Sequence, residues 1–199
     1  MKIIWHGHAC FEVQSNEGIV VFDPYKDNSV PGVYMEQLTA DQVFTSHSHG
    51  DHNGIDKVDL LNRGKNINVE KISTYHDDKE GQLRGNNIIH IVFLENMKIA
   101  HLGDLGCDID DDRLSNCDIF MIPVGGHYTI DALMAKHIID KYNPRIVIPM
   151  HYRGDIFGYD VISTVDEFIS ICGNVNYSID NTVFIDKGTP KQTIILKKS

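Results

Sequence analysis

The sequence has no run approaching the roughly 18 consecutive apolar residues that a membrane-spanning helix needs. Cysteine is scarce. The four cysteines (Cys10, Cys107, Cys117, Cys172) are scattered and form no C-x-x-C pair. That excludes a disulfide framework and a paired-cysteine zinc knuckle, and it suits reduced thiols. Positive charge is also short. Lys and Arg number 18 against 28 Asp and Glu, for a formal net charge of −10. Neither the basic stripe of a nucleic-acid-binding surface nor a polybasic membrane anchor fits that balance. The first eight residues place His6 and His8 where a signal peptide would carry its apolar core, so the expected location is the cytoplasm. There is no internal repeat and no Pro/Ser-rich linker. A length of 199 residues predicts one domain with a real core.

Histidine and aspartate are plentiful. There are 11 His, and Asp outnumbers Glu 21 to 7. These residue types bind hard and borderline metals when they cluster. Hydrophobic patterning predicts strands over Lys2–Trp5, Cys10–Gln14, Gly18–Phe22, Gln42–Thr45, Asn68–Ser73, Asn87–Leu94, Met97–His101, Cys117–Pro123, Arg145–Pro149, Thr182–Ile185 and Gln192–Leu196. Glu95-Asn96 reads as a hairpin turn. Helical spacing is weak over Ile55–Leu61 and clear over Ile130–Tyr142, which Asn143-Pro144 stops. A second helix is expected from Ser163, with Asp166 completing a capping-box-like pair. The acidic run Asp108–Asp112 reads as a solvated loop and helix start. Strands with interspersed helices predict a layered α/β (α+β) fold rather than an alternating doubly wound sheet.

The sharpest local feature is His47-x-His49-x-Asp51-His52, directly after a predicted strand. In extended backbone His47, His49 and Asp51 share one face, whereas the adjacent Asp51 and His52 must diverge. One short segment can therefore serve two ions, and Gly50 permits the tight path between. A His-rich surface loop is the plainer reading, but four donors in six residues speak against it.

This H-x-H-x-D-H motif resembles that of the metallo-β-lactamase-fold hydrolases. Asp23 in Val-Phe-Asp-Pro, His76, Asp104 in Gly-Asp and His151 in Pro-Met-His match further family positions in order. Gly7-His8-Ala9 and Gly125-Gly126-His127 make the sequence most similar to the compact branch containing ascorbate-phosphate lactonase-like proteins. The resemblance implies a four-layer αβ/βα sandwich over residues 1–199, with the metals at one end of the sheets. It implies one metal on His47, His49 and His76 and a second on Asp51, His52 and His151, with Asp104 bridging. Asp23 and His8 would support these ligands from behind. Zinc is the first expectation for the two divalent ions, and manganese, iron and nickel accept the same donors.

The implied activity is hydrolysis of a small ester, lactone or phosphodiester by a metal-bridging hydroxide, with Asp51, Asp104 and His127 as catalytic residues. His127 precedes the predicted Ile130 helix, which Thr129 would cap, and a helix N-terminus attracts anions. Arg84 and Arg153 are candidate partners for an anionic substrate. Each has a plainer alternative: a turn residue for His76, an Asx turn for Asp104, local capping for His127, solvated surface for the arginines. Two other functions fit the same ligand set. One is a di-iron redox or oxygen-handling protein, which three imidazoles without Glu at the first ion argue against. The other is a non-catalytic metal-dependent metabolite-binding protein. No nucleic acid or membrane is expected as a partner.

Overall fold

A computed structural model describes residues 1–198. The strands are β1 (Lys2–Gly7), β2 (Cys10–Gln14), β3 (Ile19–Phe22), β4 (Leu38–Ala40), β5 (Gln42–Phe44), β6 (Val58–Leu60), β7 (Val69–Tyr75), β8 (Asn86–Leu94), β9 (Met97–His101), β10 (Ile119–Pro123), β11 (Ile146–Met150), β12 (Val175–Tyr177), β13 (Thr182–Phe184) and β14 (Gln192–Ile195). The helices are α1 (Ala132–Tyr142) and α2 (Asp166–Ile171). They build a five-stranded sheet, order β13-β1-β2-β3-β5, and a seven-stranded sheet, order β12-β14-β11-β10-β9-β8-β7. A small third sheet pairs β4 with β6.

Strand direction decides where the loops gather. In the first sheet β1 runs antiparallel to β2, β2 antiparallel to β3, and β3 parallel to β5, so β1, β3 and β5 share one direction. In the second sheet β7 and β9 both run antiparallel to β8, and β9, β10 and β11 are parallel. Each set therefore delivers its C-terminal ends to one edge of its sheet. β8 and β9 meet across Glu95-Asn96, both at positive φ (50° and 59°), as a two-residue turn of the twist-matched type requires.

Period-two alternation assigns the faces. Ile3, Trp5, Phe11, Val13, Val20 and Phe22 join the main core with the second sheet, while Cys10 and Val21 point to a smaller cluster with Tyr25, Met35, Leu38 and Val58. The five-stranded sheet is thus covered by β4, β6 and the 24–37 loop. Every residue of β10 and β11 is buried, as expected of central parallel strands covered on both faces. The result is four layers, but the outer layer on the first sheet is loop and short strand rather than helix.

Several local expectations are corrected. Ile55–Leu61 is a 3-10 turn (Ile55–Lys57) followed by β6, because pairing with β4 overrides the weak helical spacing. α1 starts at Ala132 with Asp131, not Thr129, as its cap, accepting from the Met134 N–H. It buries Ala132, Ala135 and Ile138 and leaves Leu133 exposed. α2 starts at Asp166 without a side-chain cap, since Ser163 and Thr164 pair in extended form with Arg153 and Gly125.

Phe120 lies at 0% exposure at the centre of the main core. Phe120→Ala is expected to cost about 3–5 kcal/mol in urea unfolding. A loss below about 1 kcal/mol would contradict this placement of the core.

Candidate metal centre

The candidate donors lie just beyond strand ends on the shared edges. His8 follows β1, Asp23 follows β3, and the 47–52 segment follows β5. His76 follows β7, Asp104 lies three residues beyond β9, and His151 follows β11. The turns are tight. His8, Asp23 and His151 hold φ of 52°, 43° and 53°, a left-handed backbone that costs non-glycine residues about 1–3 kcal/mol each. Gly103 also has positive φ, and a Cβ there would collide with Asn87 Oδ1 and Ser46 Cβ. Asn87 then accepts from the Asp104 N–H at 2.9 Å.

The structure brings His47, His49, Asp51, His52, His76, Asp104 and His151 together. Donor atoms of His47, His49 and His76 lie within 4.8 Å of one another, as do those of Asp51, His52 and His151, a group His8 joins. Asp104 stands between them. Its Oδ2 is 3.2 Å from Nε2 of His76 and 3.2 Å from Nε2 of His151, and its Oδ1 is 3.1 Å from His52 Nε2. Two donors on one tetrahedral zinc at about 2.0–2.1 Å are separated by about 3.3 Å, so these spacings would suit donors that share an ion. The donor chemistry fits as well. His47 Nε2, His52 Nε2 and Asp104 Oδ1 are buried without a hydrogen-bond partner, which costs about 1–3 kcal/mol for each such group when nothing satisfies it. Divalent cations at these points would satisfy all three.

Asp23 fixes the tautomers. It is fully buried, and its carboxylate accepts from Ser46 N (2.6 Å), Ser46 Oγ (2.6 Å) and His52 Nδ1 (2.8 Å). Ser46 spends its single proton on Asp23, so His47 Nδ1, 3.0 Å away, donates to Ser46 Oγ. Both imidazoles then turn Nε2 toward the centre. Burial alone would raise the Asp23 carboxyl; His52, His101 and Ser46 outweigh it and hold it at about 2. Burial, reinforced by His52, pushes His47 down to about 3, so it is neutral at pH 7, as a metal-binding imidazole must be. At His52 burial opposes the charge, but Asp104 and Asp23 on its two sides prevail and raise its pKa. The same negative potential favours a divalent cation.

A cavity of about 250 Å³ opens over the cluster. His49, Asp51, His76, Asp104 and His151 form its floor, and Arg84, Tyr128 and Tyr159 its wall. Arg84 reaches it because Asp77, buried beside His76, accepts backbone N–H groups from Lys79, Gly81, Leu83 and Arg84 and so folds the intervening loop. Arg153 does not line the cavity; its Nε donates to Ile162 O. His127 is exposed, packs edge-on against Tyr128 and lines the neighbouring groove, so the structure does not bring it to the cluster. The anion site expected at the α1 N-terminus is corrected too, because the Asp131 carboxylate already caps that end. His101 is held in the core, stacked on Phe22 and bonded to Ala9 O. Tyr128, which the sequence groups with His127 as an anion-binding candidate, does line the cavity. Sequence reasoning missed Asp77, Asn87 and Tyr159. Only Asp77 had a local signal, as a carboxylate directly after a candidate ligand and ahead of a glycine-bounded turn.

The model of the beta-lactamase superfamily domain matches residues 2–151. A UPF0173 metal-dependent hydrolase of Thermoplasma acidophilum is 30% identical, with 88% of this chain and 92% of that protein covered. A Thermotoga maritima structure assigned to Zn-dependent hydrolases of the metallo-beta-lactamase superfamily superposes with a TM-score of 0.75 at 25% identity, covering 100% of this chain and 99% of that one. Igni18, a metallo hydrolase of Ignicoccus hospitalis, shares the fold with a TM-score of 0.58 at 19% identity, covering 84% and 88%.

Asp23→Ala removes the acceptor that orients His52 and, through Ser46, His47. Divalent-ion affinity is expected to fall about 10–100-fold while the far-UV spectrum is retained, as measured by competition with a chromogenic chelator. Unchanged affinity would show that the ligands orient themselves.

Proposed function

The chain belongs to the metallo-β-lactamase superfamily, among the UPF0173 metal-dependent hydrolases, and from that premise we propose that it hydrolyses a small anionic ester, lactone or phosphodiester at a two-ion centre. The observation that carries this reading is Asp104 Oδ2, equidistant at 3.2 Å from an imidazole of each donor group. Two divalent ions there, zinc in the first instance, would supply Lewis acidity and a water nucleophile active near neutral pH. The chain's own residues do the rest. Bound through neutral imidazoles, His47, His49 and His76 would lower the acidity of an ion less than anionic ligands, while Asp51 and Asp104 would offset part of the accumulated charge. Asp104 also carries a carboxylate at the reacting edge that can take and return a proton.

Arg84 supports an anionic substrate. Its guanidinium stacks over Tyr128 at 5.6 Å and lines the cavity, and among the described residues no carboxylate pairs with it. A carboxylate or phosphate on the substrate would meet a planar two-pronged donor there. Burial, aided by Asp51, raises the Tyr159 phenol, so it remains neutral at the same wall.

Metal-loaded protein assayed on lactones, carboxylic esters and phosphodiesters is expected to turn over at least one class, and His49→Ala is expected to abolish that turnover. A loaded protein inert on the whole panel, with His49→Ala indistinguishable, would overturn the reading. Arg84→Ala is expected to raise KM about 10-fold or more for the anionic substrate, in line with a lost charged hydrogen bond, and to leave a neutral analogue unaffected. An equal effect on both would remove the anion from the proposal.

A further inference from the structure

His8 has no role in the ligand set that the family resemblance implies, beyond support from behind. The structure places it differently. Its side chain is fully buried, yet neither ring nitrogen has a hydrogen-bond partner. An imidazole sealed from water with both nitrogens unpaired is destabilising unless something else answers them. The backbone adds strain, because His8 sits at φ 52° after Gly7 at φ 107°. The surroundings hold this conformation. His8 O accepts from Trp5 Nε1 at 3.0 Å and from the backbone N–H of His151 at 3.2 Å. The ring packs against His151 at 4.1 Å and His52 at 5.1 Å between centroids. Such cost and strain need a compensating interaction.

The distance to Asp51 points to what that interaction is. His8 Nε2 lies 3.4 Å from Asp51 Oδ2, a contact too long and poorly aligned to satisfy either group as a hydrogen bond. That separation matches the spacing of two ligands on one tetrahedral ion, about 3.3–3.4 Å. Donor atoms of His8, Asp51, His52 and His151 all lie within 4.8 Å of one another. His8 also shares a pattern with His76 and His151, since all three leave Nδ1 without a protein partner. Resting on the two-ion reading above, we propose that His8 is a direct ligand of the second ion, which is held by His8, Asp51, His52 and His151 with Asp104 shared. The two positions are then unequal. The second is enclosed by three imidazoles and a carboxylate of its own, and the first keeps an exposed ligand, His49, toward the cavity.

The test uses Co²⁺ as the probe in the full-length protein. Hyperfine-shifted imidazole N–H signals in the proton NMR spectrum report each histidine bound to cobalt. Wild type is expected to show one signal more than His47, His49, His52, His76 and His151 account for. His8→Asn, whose side chain tolerates the left-handed backbone, is expected to lose that signal and to bind one of two cobalt equivalents at least about 10-fold more weakly. His8→Gly, which relieves the strain and opens a cavity, is expected to regain wild-type affinity when free imidazole is added. A merely structural role would not give that rescue. Five signals in wild type, or two cobalt equivalents bound unchanged by both variants, would overturn the assignment while leaving the two-ion hydrolase intact. Wild type that binds no cobalt would overturn both.

Discussion

Asp23 accepts three hydrogen bonds at the end of β3, two from Ser46 and one from His52, and is itself wholly buried. Through them one carboxylate orients an imidazole in each donor group: His52 directly, His47 by way of Ser46. It does so from the five-stranded sheet, and the segment it grips follows β5 of the same sheet. The opposing donors His76, Asp104 and His151 come from the seven-stranded sheet. Without Asp23 the two imidazoles could rotate or take the other tautomer, and the face the second sheet supplies would have nothing fixed to meet. The centre is thus a joint between sheets.

That joint has an energetic cost carried by the core. His8, Asp23 and His151 all occupy left-handed backbone, and several donor atoms are buried unpaired in the protein. Such features persist where the packing around them over-determines the chain. Here β10 and β11, buried along their whole length, and the apolar layer between the sheets supply that rigidity. Strain and orphaned polar atoms at one edge of a well-packed sandwich are what a preorganised metal centre looks like before its ions are considered.

The ligand segment was legible because its information is local. His47-x-His49-x-Asp51-His52 carries its meaning in spacing alone, and Cys10–Gln14 and Met97–His101 alternate or run apolar strongly enough to give their strand bounds. What failed was decided by distant partners. β4, β6 and β12 are three-residue strands with exposed positions, and pairing rather than propensity makes them strands. The start expected at Ser163 gave way to extended pairing with Arg153 and Gly125. His8 could not be placed from spacing, because its position depends on the 143-residue separation that β1 and β11 close to bring it against His151. Asn87 and Tyr159 likewise act on residues far along the chain.

Charge and geometry converge on the space beside Asp104. Imidazoles approach its two oxygens at 3.1–3.2 Å from both donor groups, and burial keeps competing water from answering those donors. The most direct test is anomalous diffraction from crystals of the metal-loaded protein, with data collected on both sides of the absorption edge of the ion present. Two peaks flanking the Asp104 carboxylate are predicted, one bounded by His47, His49 and His76 and the other by Asp51, His52 and His151. A single peak, or none beside Asp104, would contradict the account.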